Sequence, residues 1–347
     1  MTNFDPNDIG IANGNFFGLP FTAADADIAL ISVPWDVTTS YRAGTHKGPQ
    51  AIMGASLQVD LFDPLLKDAW KTRISTVPED ITIAEINSRF REIAEKIIEG
   101  LGEGISKESF SFDTELVNKA SQELNEYVYQ TAKEQIRLGK LTGIVGGDHS
   151  VPLGAIKAVS EQYQSFGILH IDAHADLREA YEGFRYSHAS IMYNTLKEIN
   201  NIKTLTQVGI RDFCQQEHDM IKTDPRINCF TDALIRQNGF KGKLFSEQCR
   251  EIIDTLAENV YISFDIDGLS PDLCPNTGTP VPGGLSFAEV DYLLWQLVNS
   301  GRRIVGFDLC EVSPSAEDQW DANVGARVLF KLCIYSGHNL KISNMSK

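Results

Sequence analysis

Runs of near-continuous apolar residues recur along the chain, each closed by turn residues. They are ADIALISVPW (26–35), LTGIVGG (141–147), SFGILHID (165–172), LTQVGI (205–210), RINCF (226–230), NVYISFDID (259–267) and RRIVGFDL (302–309). Runs of this length without polar alternation are expected of strands covered on both faces. Between them the apolar spacing becomes helical over 115–138, 152–163, 246–259 and 286–300,. The last begins at Ser286 with Glu289 three residues on, so that each side chain can cap the other's backbone N–H,. Residues 83–106 read as a further amphipathic helix ending in glycines. Strands alternating with helices predict an α/β fold with a parallel sheet and helices on both sides. With no internal repeat and no linker-like stretch, 1–347 reads as one domain, on which the segment around 83–106 is an elaboration.

Composition narrows this reading. Of the 347 residues, 42% are hydrophobic and 22% charged, enough apolar material for a substantial core,. The formal charge of −16 argues against a nucleic-acid partner and is compatible with a cationic substrate,. The six cysteines (Cys214, Cys229, Cys249, Cys274, Cys310, Cys333) form no C-x-x-C pair and follow no framework spacing. Neither disulfides nor a thiolate zinc site is expected. The first residues lack the basic flank and apolar core of a signal peptide, and no run reaches membrane-span length. No membrane partner and a cytoplasmic setting are the expectations.

The chemistry gathers where the predicted strands end. Asp148 and His149 follow one; Asp172, His174 and Asp176 follow the next; Asp265 and Asp267 close a third; Asp308 and Glu311 close a fourth. In an open parallel sheet such loops lie together at one edge. Buried charge is costly unless paired or metal-bound, so four acidic strand ends brought together call for cations. In an extended chain residues 172, 174 and 176 point one way, as do 265 and 267. Two imidazoles (His149, His174) and four carboxylates (Asp172, Asp176, Asp265, Asp267) suit Mn²⁺ or a similar divalent ion better than a thiolate zinc site. One ion would not use all six groups. Two sharing carboxylates would, and would activate a water between them. His170 is in phase with this set but deeper in its strand, and reads as a supporting or core residue. His46, His218 and His338 have no companions in the sequence.

At these residues the chain resembles the ureohydrolase family of arginases, agmatinases and related guanidino hydrolases. GGDHS, DAHAD, SFDIDG with the following TGTPVPGG, and EVSP arrive in family order across 141–315, and SYRAGTHKGPQAI (40–52) is also similar. The resemblance implies a three-layer α/β/α fold with a central, mainly parallel sheet. It implies two Mn²⁺, with Ni²⁺ in some members, and a homotrimer or homohexamer. One ion would be held by His149, Asp172, Asp176 and Asp265, the other by His174, Asp172, Asp265 and Asp267, so that Asp172 and Asp265 bridge. Glu311 matches the carboxylate that pairs with a substrate guanidinium, and His188 in RYSHAS matches a proton-shuttling histidine.

This chemistry is coherent. A guanidinium is a poor electrophile and needs a strong nucleophile, a fixed carboxylate partner and a proton for the departing amine. Where arginases carry an Asn for the substrate's α-carboxylate, this chain has Arg178, which argues against arginine and for an agmatinase-like substrate. Glu179 and Glu182 are candidates for an amine tail. The segment 60–112 departs from compact agmatinases and leaves free guanidine or a short guanidino acid as an alternative. A mononuclear zinc deacetylase is disfavoured by the six-ligand set. A metal-bound non-catalytic subunit of a ureohydrolase complex is the alternative from outside catalysis.

Overall fold

The structure, a computed structural model, describes residues 4–345. Eight strands form one sheet: β1 (Ile28–Val33), β2 (Ile74–Thr76), β3 (Leu141–Gly146), β4 (Phe166–Ile171), β5 (Ile202–Val208), β6 (Ile227–Phe230), β7 (Asn259–Asp265) and β8 (Arg303–Cys310). Their order is β2-β1-β3-β8-β7-β4-β5-β6 and every pairing is parallel. All seven expected strands are present. The eighth, β2, is a three-residue edge strand that apolar runs do not reveal. The inner strands β1, β3 and β4 are buried along their whole length, because helices cover both faces,.

The helices are α1 (Gly48–Ser56), α2 (Thr82–Gly102), α3 (Ser111–Arg137), α4 (Leu153–Ser160), α5 (Ile191–Glu198), α6 (Gln215–Thr223), α7 (Asp232–Phe240), α8 (Phe245–Asp254), α9 (Phe287–Val298) and α10 (Trp320–Met345). Residues of α1, α8, α9 and α10 share one apolar cluster with Leu30, Val145, Leu169 and Ile262. On the opposite face α2 and α3 pack on Ile31, Val33 and Ile144, and α4 and α5 on Ile168 and Tyr261. Alternate residues of one strand thus serve opposite helical layers. The arrangement is the expected three-layer α/β/α. α9 carries the anticipated reciprocal cap: Glu289 N–H donates to Ser286 Oγ at 3.2 Å and Ser286 N–H to Glu289 Oε2 at 2.8 Å.

Segment 60–112 is joined to this architecture. It contributes β2 at the sheet edge and α2, whose Ile83, Ala94 and Ile97 are buried in the α2–α3 layer. The topology also selects a place for chemistry. From β4 the chain crosses outward to β5, whereas from β7 it crosses the other way to β8. The crevice above the carboxyl ends of β7 and β4 is therefore the switch point at which α/β sheets build their sites.

Candidate metal centre

Four neighbouring strands, β3, β8, β7 and β4, deliver the polar residues to this crevice. β3 ends at Gly146, and the next two residues turn the chain sharply back. A Cβ on Gly147 would stand 1.9 Å from the Trp35 carbonyl oxygen, so only glycine lets β1 and this turn approach,. His149 is thereby seated under the sheet edge, 1% exposed. Its Nδ1 lies 3.0 Å from Asp172 Oδ2, 3.2 Å from Asp176 Oδ2 and 3.3 Å from Asp265 Oδ2. A second group adjoins the first: His174 Nδ1 lies 3.5 Å from Asp172 Oδ1 and 3.1 Å from Asp267 Oδ2. Asp172 turns one oxygen to each histidine. Asp265 turns Oδ2 to His149, while its Oδ1 accepts the Asp267 N–H at 2.8 Å.

The expected period-2 alternation does not produce this convergence. β4 stops at Ile171, and Asp176 lies at φ 54° in the left-handed region. Residues 172–176 therefore curl. Asp172 Oδ1 accepts the His174 N–H, and a short 3₁₀ turn at Ile266–Gly268 follows Asp265. Turns capped by the cluster's own carboxylates bring the side chains together, because β4 ends before Asp172 and β7 ends at Asp265, too early for alternation to do so,. Glu311, at φ 65°, is also held in the left-handed region. Such backbone conformations cost about 1–3 kcal/mol each in residues other than glycine and persist where surrounding packing fixes them.

The electrostatics are those of carboxylates crowded out of water. Burial, then the neighbouring Asp172, pushes Asp176 up to about 6. Burial, with Asp267 and Asp172 beside it, holds Asp265 well above the usual carboxylate range. Burial opposes a proton on His149, but Asp172, Asp176 and Asp265 outweigh it and raise the imidazole well above its ordinary value. Burial likewise opposes ionisation of Asp172, yet His170 and His149 hold it well below. His149, His170, Asp172 and Asp176 bring donor atoms within 4.8 Å of one another, as do Asp172, His174 and Asp267, and Asp265 Oδ2 adjoins the first group through His149; such oxygen and imidazole donors fit divalent cations,. Asp172 is disposed to be shared.

A supporting layer fixes the ligands. His149 Nε2 lies 2.9 Å from Ser263 Oγ and 3.6 Å from Asp308 Oδ1, and Ser263 Oγ donates to Asp308 Oδ1 at 3.1 Å. This directs Nδ1 toward the carboxylates. His170 adjoins the cluster, with a ring nitrogen among its donor atoms: its Nε2 is 2.8 Å from Asp172 Oδ2 and its Nδ1 is 3.0 Å from Gln207 Nε2. Sequence reasoning missed Ser263 and Gln207. The register that pairs His170 with both Ser263 and Gln207 is the signal, and it is visible only once strand neighbours are known.

Glu311 is 4% exposed. Its Oε1 accepts the His149 N–H at 2.9 Å, while Oε2 has no partner among the described residues. Burial, then Asp148, raises its carboxyl well above the usual range. A Cβ on Gly278 would come 3.1 Å from Oε2, so glycine keeps open the space beside that oxygen. His188 opens the short 3₁₀ turn His188–Ser190 and lines a cleft of about 150 Å³ together with His174, Asp176, Ser40 and Thr279. Burial, with His174 and His149 nearby, lowers its imidazole to about 3. A larger recess of about 390 Å³ around Lys119 and Tyr186 contains none of the clustered ligands.

Glu179 and Glu182 do not line this cleft. Glu179 is exposed, and Glu182, at φ 54°, faces a separate recess with Lys107 and Phe110. Besides Asp176, the cleft wall holds the buried acid Glu217, which accepts N–H groups of Leu177 at 3.1 Å and Cys214 at 2.8 Å. Arg178 lies beside it, Nε 3.7 Å from Glu217 Oε2, with its guanidinium over the Tyr181 ring. His46 has a companion after all: its Nδ1 is 2.7 Å from Asp36 Oδ2.

Comparison with known proteins agrees with this geometry. The sequence profile of the arginase family matches residues 26–335. An N(1)-aminopropylagmatine ureohydrolase of Thermus thermophilus is 32% identical over 297 residues, covering 84% of this chain and 85% of the relative. An agmatinase of Proteus mirabilis is 30% identical over 300 residues, covering 86% and 83%. Among solved structures, the agmatine ureohydrolase of Thermoplasma volcanium superposes with a TM-score of 0.70 at 22% identity, covering 95% of this chain and 97% of that one. At that identity the likeness speaks for the fold.

Proposed function

Since the chain belongs to the arginase family, whose members are metal-dependent ureohydrolases, we propose that it is a binuclear hydrolase cleaving a guanidino C–N bond to release urea and an amine or ammonia, with an agmatinase-like substrate. The observation that carries this reading is the convergence of two imidazoles and four carboxylates beside a buried carboxylate, Glu311, with one oxygen free. His149, Asp172, Asp176 and Asp265 would hold one Mn²⁺, and His174, Asp172, Asp265 and Asp267 the other, with Ni²⁺ an alternative. When bound, the ions supply a strong nucleophile from water near neutral pH.

The chain's own residues do the rest. Glu311 Oε2 receives N–H groups of the planar guanidinium in charge-assisted hydrogen bonds, and the raised affinity of Glu311 for positive charge is satisfied by the substrate. This anchors the carbon to be attacked over the ligand cluster. His188, buried at the cleft wall, is a weak base and a strong acid in the setting that lowers it to about 3. A proton reaching its imidazole is passed on readily to the departing nitrogen. Burial of the four carboxylates and His149, with His174 partly exposed at the cleft, limits the bulk water that competes with these contacts,.

The two relatives are named for cleaving agmatine or its aminopropyl derivative, and a cationic tail is the first expectation here. A specific observation favours the second reading, free guanidine or a short guanidino acid. Arg178 places a fixed positive charge on the wall of a cleft of only about 150 Å³, where an amine tail would meet it. A cytoplasmic homotrimer or homohexamer, without nucleic-acid or membrane partners, completes the proposal. Among the described residues no helix is long and apolar enough to cross a membrane.

The test is urea release by the purified protein alone, stripped of metal and reloaded with Mn²⁺ or Ni²⁺, over agmatine, aminopropylagmatine, arginine, short guanidino acids and guanidine. Turnover of one of these in the reloaded protein supports the reading. No turnover with any substrate and either ion would favour a non-catalytic subunit.

A further inference from the structure

After β1 the chain runs over the carboxyl edge through residues 34–44, and Ser40 from this stretch lines the cleft with His174 and His188. Thr39 and Glu311 border the same space beside Gly278: a Cβ there would lie 3.5 Å from Thr39 Cγ2 and 3.1 Å from Glu311 Oε2. This loop therefore borders both the cleft, through Ser40, and the space beside Glu311, through Thr39. The loop pairs with no strand, and its own buried polar groups need partners from elsewhere.

Those partners come from α2. Asp36, buried at the loop's start, gathers its far end. Asp36 Oδ2 accepts the Gly44 N–H at 2.8 Å and the His46 N–H at 3.3 Å, and meets His46 Nδ1 at 2.7 Å. Asn87, 1% exposed, locks Asp36 in both directions. It accepts the Asp36 N–H at 2.7 Å and donates from Nδ2 to Asp36 Oδ1 at 3.0 Å. One helical turn on, and so on the same face, Arg91 Nη1 donates to the carbonyls of Asp36 (3.3 Å), Val37 (3.3 Å) and Thr39,. Glu95 holds the Arg91 Nε at 3.0 Å, which fixes the plane of the guanidinium.

We propose that Asn87 and Arg91 are positioning residues: α2 clamps the 36–44 wall so that Thr39 and Ser40 close the guanidinium end of the cleft. The elaborated segment then tunes how tightly the site holds its substrate without touching it. The apolar face of α2, with Ile83, Ala94 and Ile97, anchors the helix independently of these polar groups. The two functions therefore separate by mutation. Arg91→Lys would keep the charge but not the planar spread of donors. The catalytic consequence rests on the ureohydrolase reading; the clamp itself does not.

The experiment uses the metal-loaded full chain carrying Asn87→Ala, Arg91→Ala or Arg91→Lys, with three readouts. In the alanine variants, amide exchange in peptides spanning 36–46 should accelerate about tenfold or more while β1 and α2 keep their protection. Metal per chain should equal that of the parent. KM for the guanidine cleaved by the parent should rise about tenfold with a smaller change in kcat, and Arg91→Lys should recover part of it. Unchanged exchange at 36–46 would overturn the clamp, as would acceleration spread evenly through α2 and the sheet. An effect confined to kcat, or one that tracks lost metal, would overturn the positioning role. If the parent cleaves no guanidine, the functional reading fails, and the exchange measurement still decides the clamp.

Discussion

Replacing Glu311 by glutamine should separate activity from stability in opposite directions. The substitution keeps the side-chain shape and the acceptor for the His149 N–H, 2.9 Å away, so the β3 turn that carries His149 keeps its tie to β8. What is lost is the charge on the oxygen that has no protein partner. Hydrogen bonds to charged groups contribute roughly 1.5–3 kcal/mol, so kcat/KM should fall by roughly 10- to 150-fold for every guanidino substrate, because the loss acts on the shared head. Stability of the metal-free protein should move the other way. Burial raises the Glu311 carboxyl above its ordinary value of 4.5, so the fold favours its neutral form. Its stabilising contribution is complete below that value and is lost as pH rises, when the buried group must ionise or hold its proton against the solvent. The glutamine amide does not ionise, so Glu311→Gln should gain on the parent as pH climbs from about 4.5 to 7. Urea release, metal analysis and chemical denaturation at several pH values measure all three quantities. Intact kcat/KM, or lost metal with lowered stability, would refute the assignment of Glu311 to the substrate's head.

Asp172→Ala removes the carboxylate that faces both histidines and should abolish urea release, with bound metal falling from about two per chain by elemental analysis. Asp265→Ala should do the same if its single facing oxygen suffices to hold an ion. His188→Ala should retain metal and substrate binding by calorimetry while turnover falls about 100-fold or more, with partial rescue by added imidazole. Equal rates for variant and parent would remove the shuttle. Burial alone would raise Asp36, but His46 and the backbone of Gly44 lower it from 3.8 to about 2. That stabilisation, about 2 kcal/mol, is present above 3.8 and lost as pH falls toward 2, so Asp36→Asn should lower denaturant stability by about that amount at neutral pH and by less in acid,.

The strands of the sheet were legible because two-sided burial writes an unbroken apolar run, and the ligands because each run ends in carboxylates. β5 begins at Ile202, three residues before its apolar run, because Lys203 and Thr204 are not fully buried. α10 escaped notice for the opposite reason. Val324, Ala326, Val328, Leu329, Leu332, Tyr335 and Ser336 are buried around most of its circumference, so only a narrow polar stripe, Asn323, Arg327 and Lys331, marks the helical period,. The candidate ligands could be picked out locally, but not their geometry: alternation singled out residues that the structure brings together, while capped turns after Ile171 and Asp265 do the gathering. The cleft wall was the least legible part. Glu179 and Glu182 look suitable by composition, yet one left-handed residue redirects Glu182 toward α3, and Glu217 arrives from a helix 40 residues further along.

The strand order has a consequence for how the molecule is made. As the chain leaves the ribosome, β2-β1-β3 and β4-β5-β6 can each assemble, but no strand joins them until β7 and β8 slot into the middle. Until then β3 and β4 present bare apolar edges, and neither half holds a complete ligand set, since Asp265, Asp267 and Glu311 are among the last parts of the sheet to be synthesised,. The final strands therefore knit the two halves and finish the centre in one event. A divalent ion that binds only the completed centre should therefore stabilise the joined halves and neither half alone.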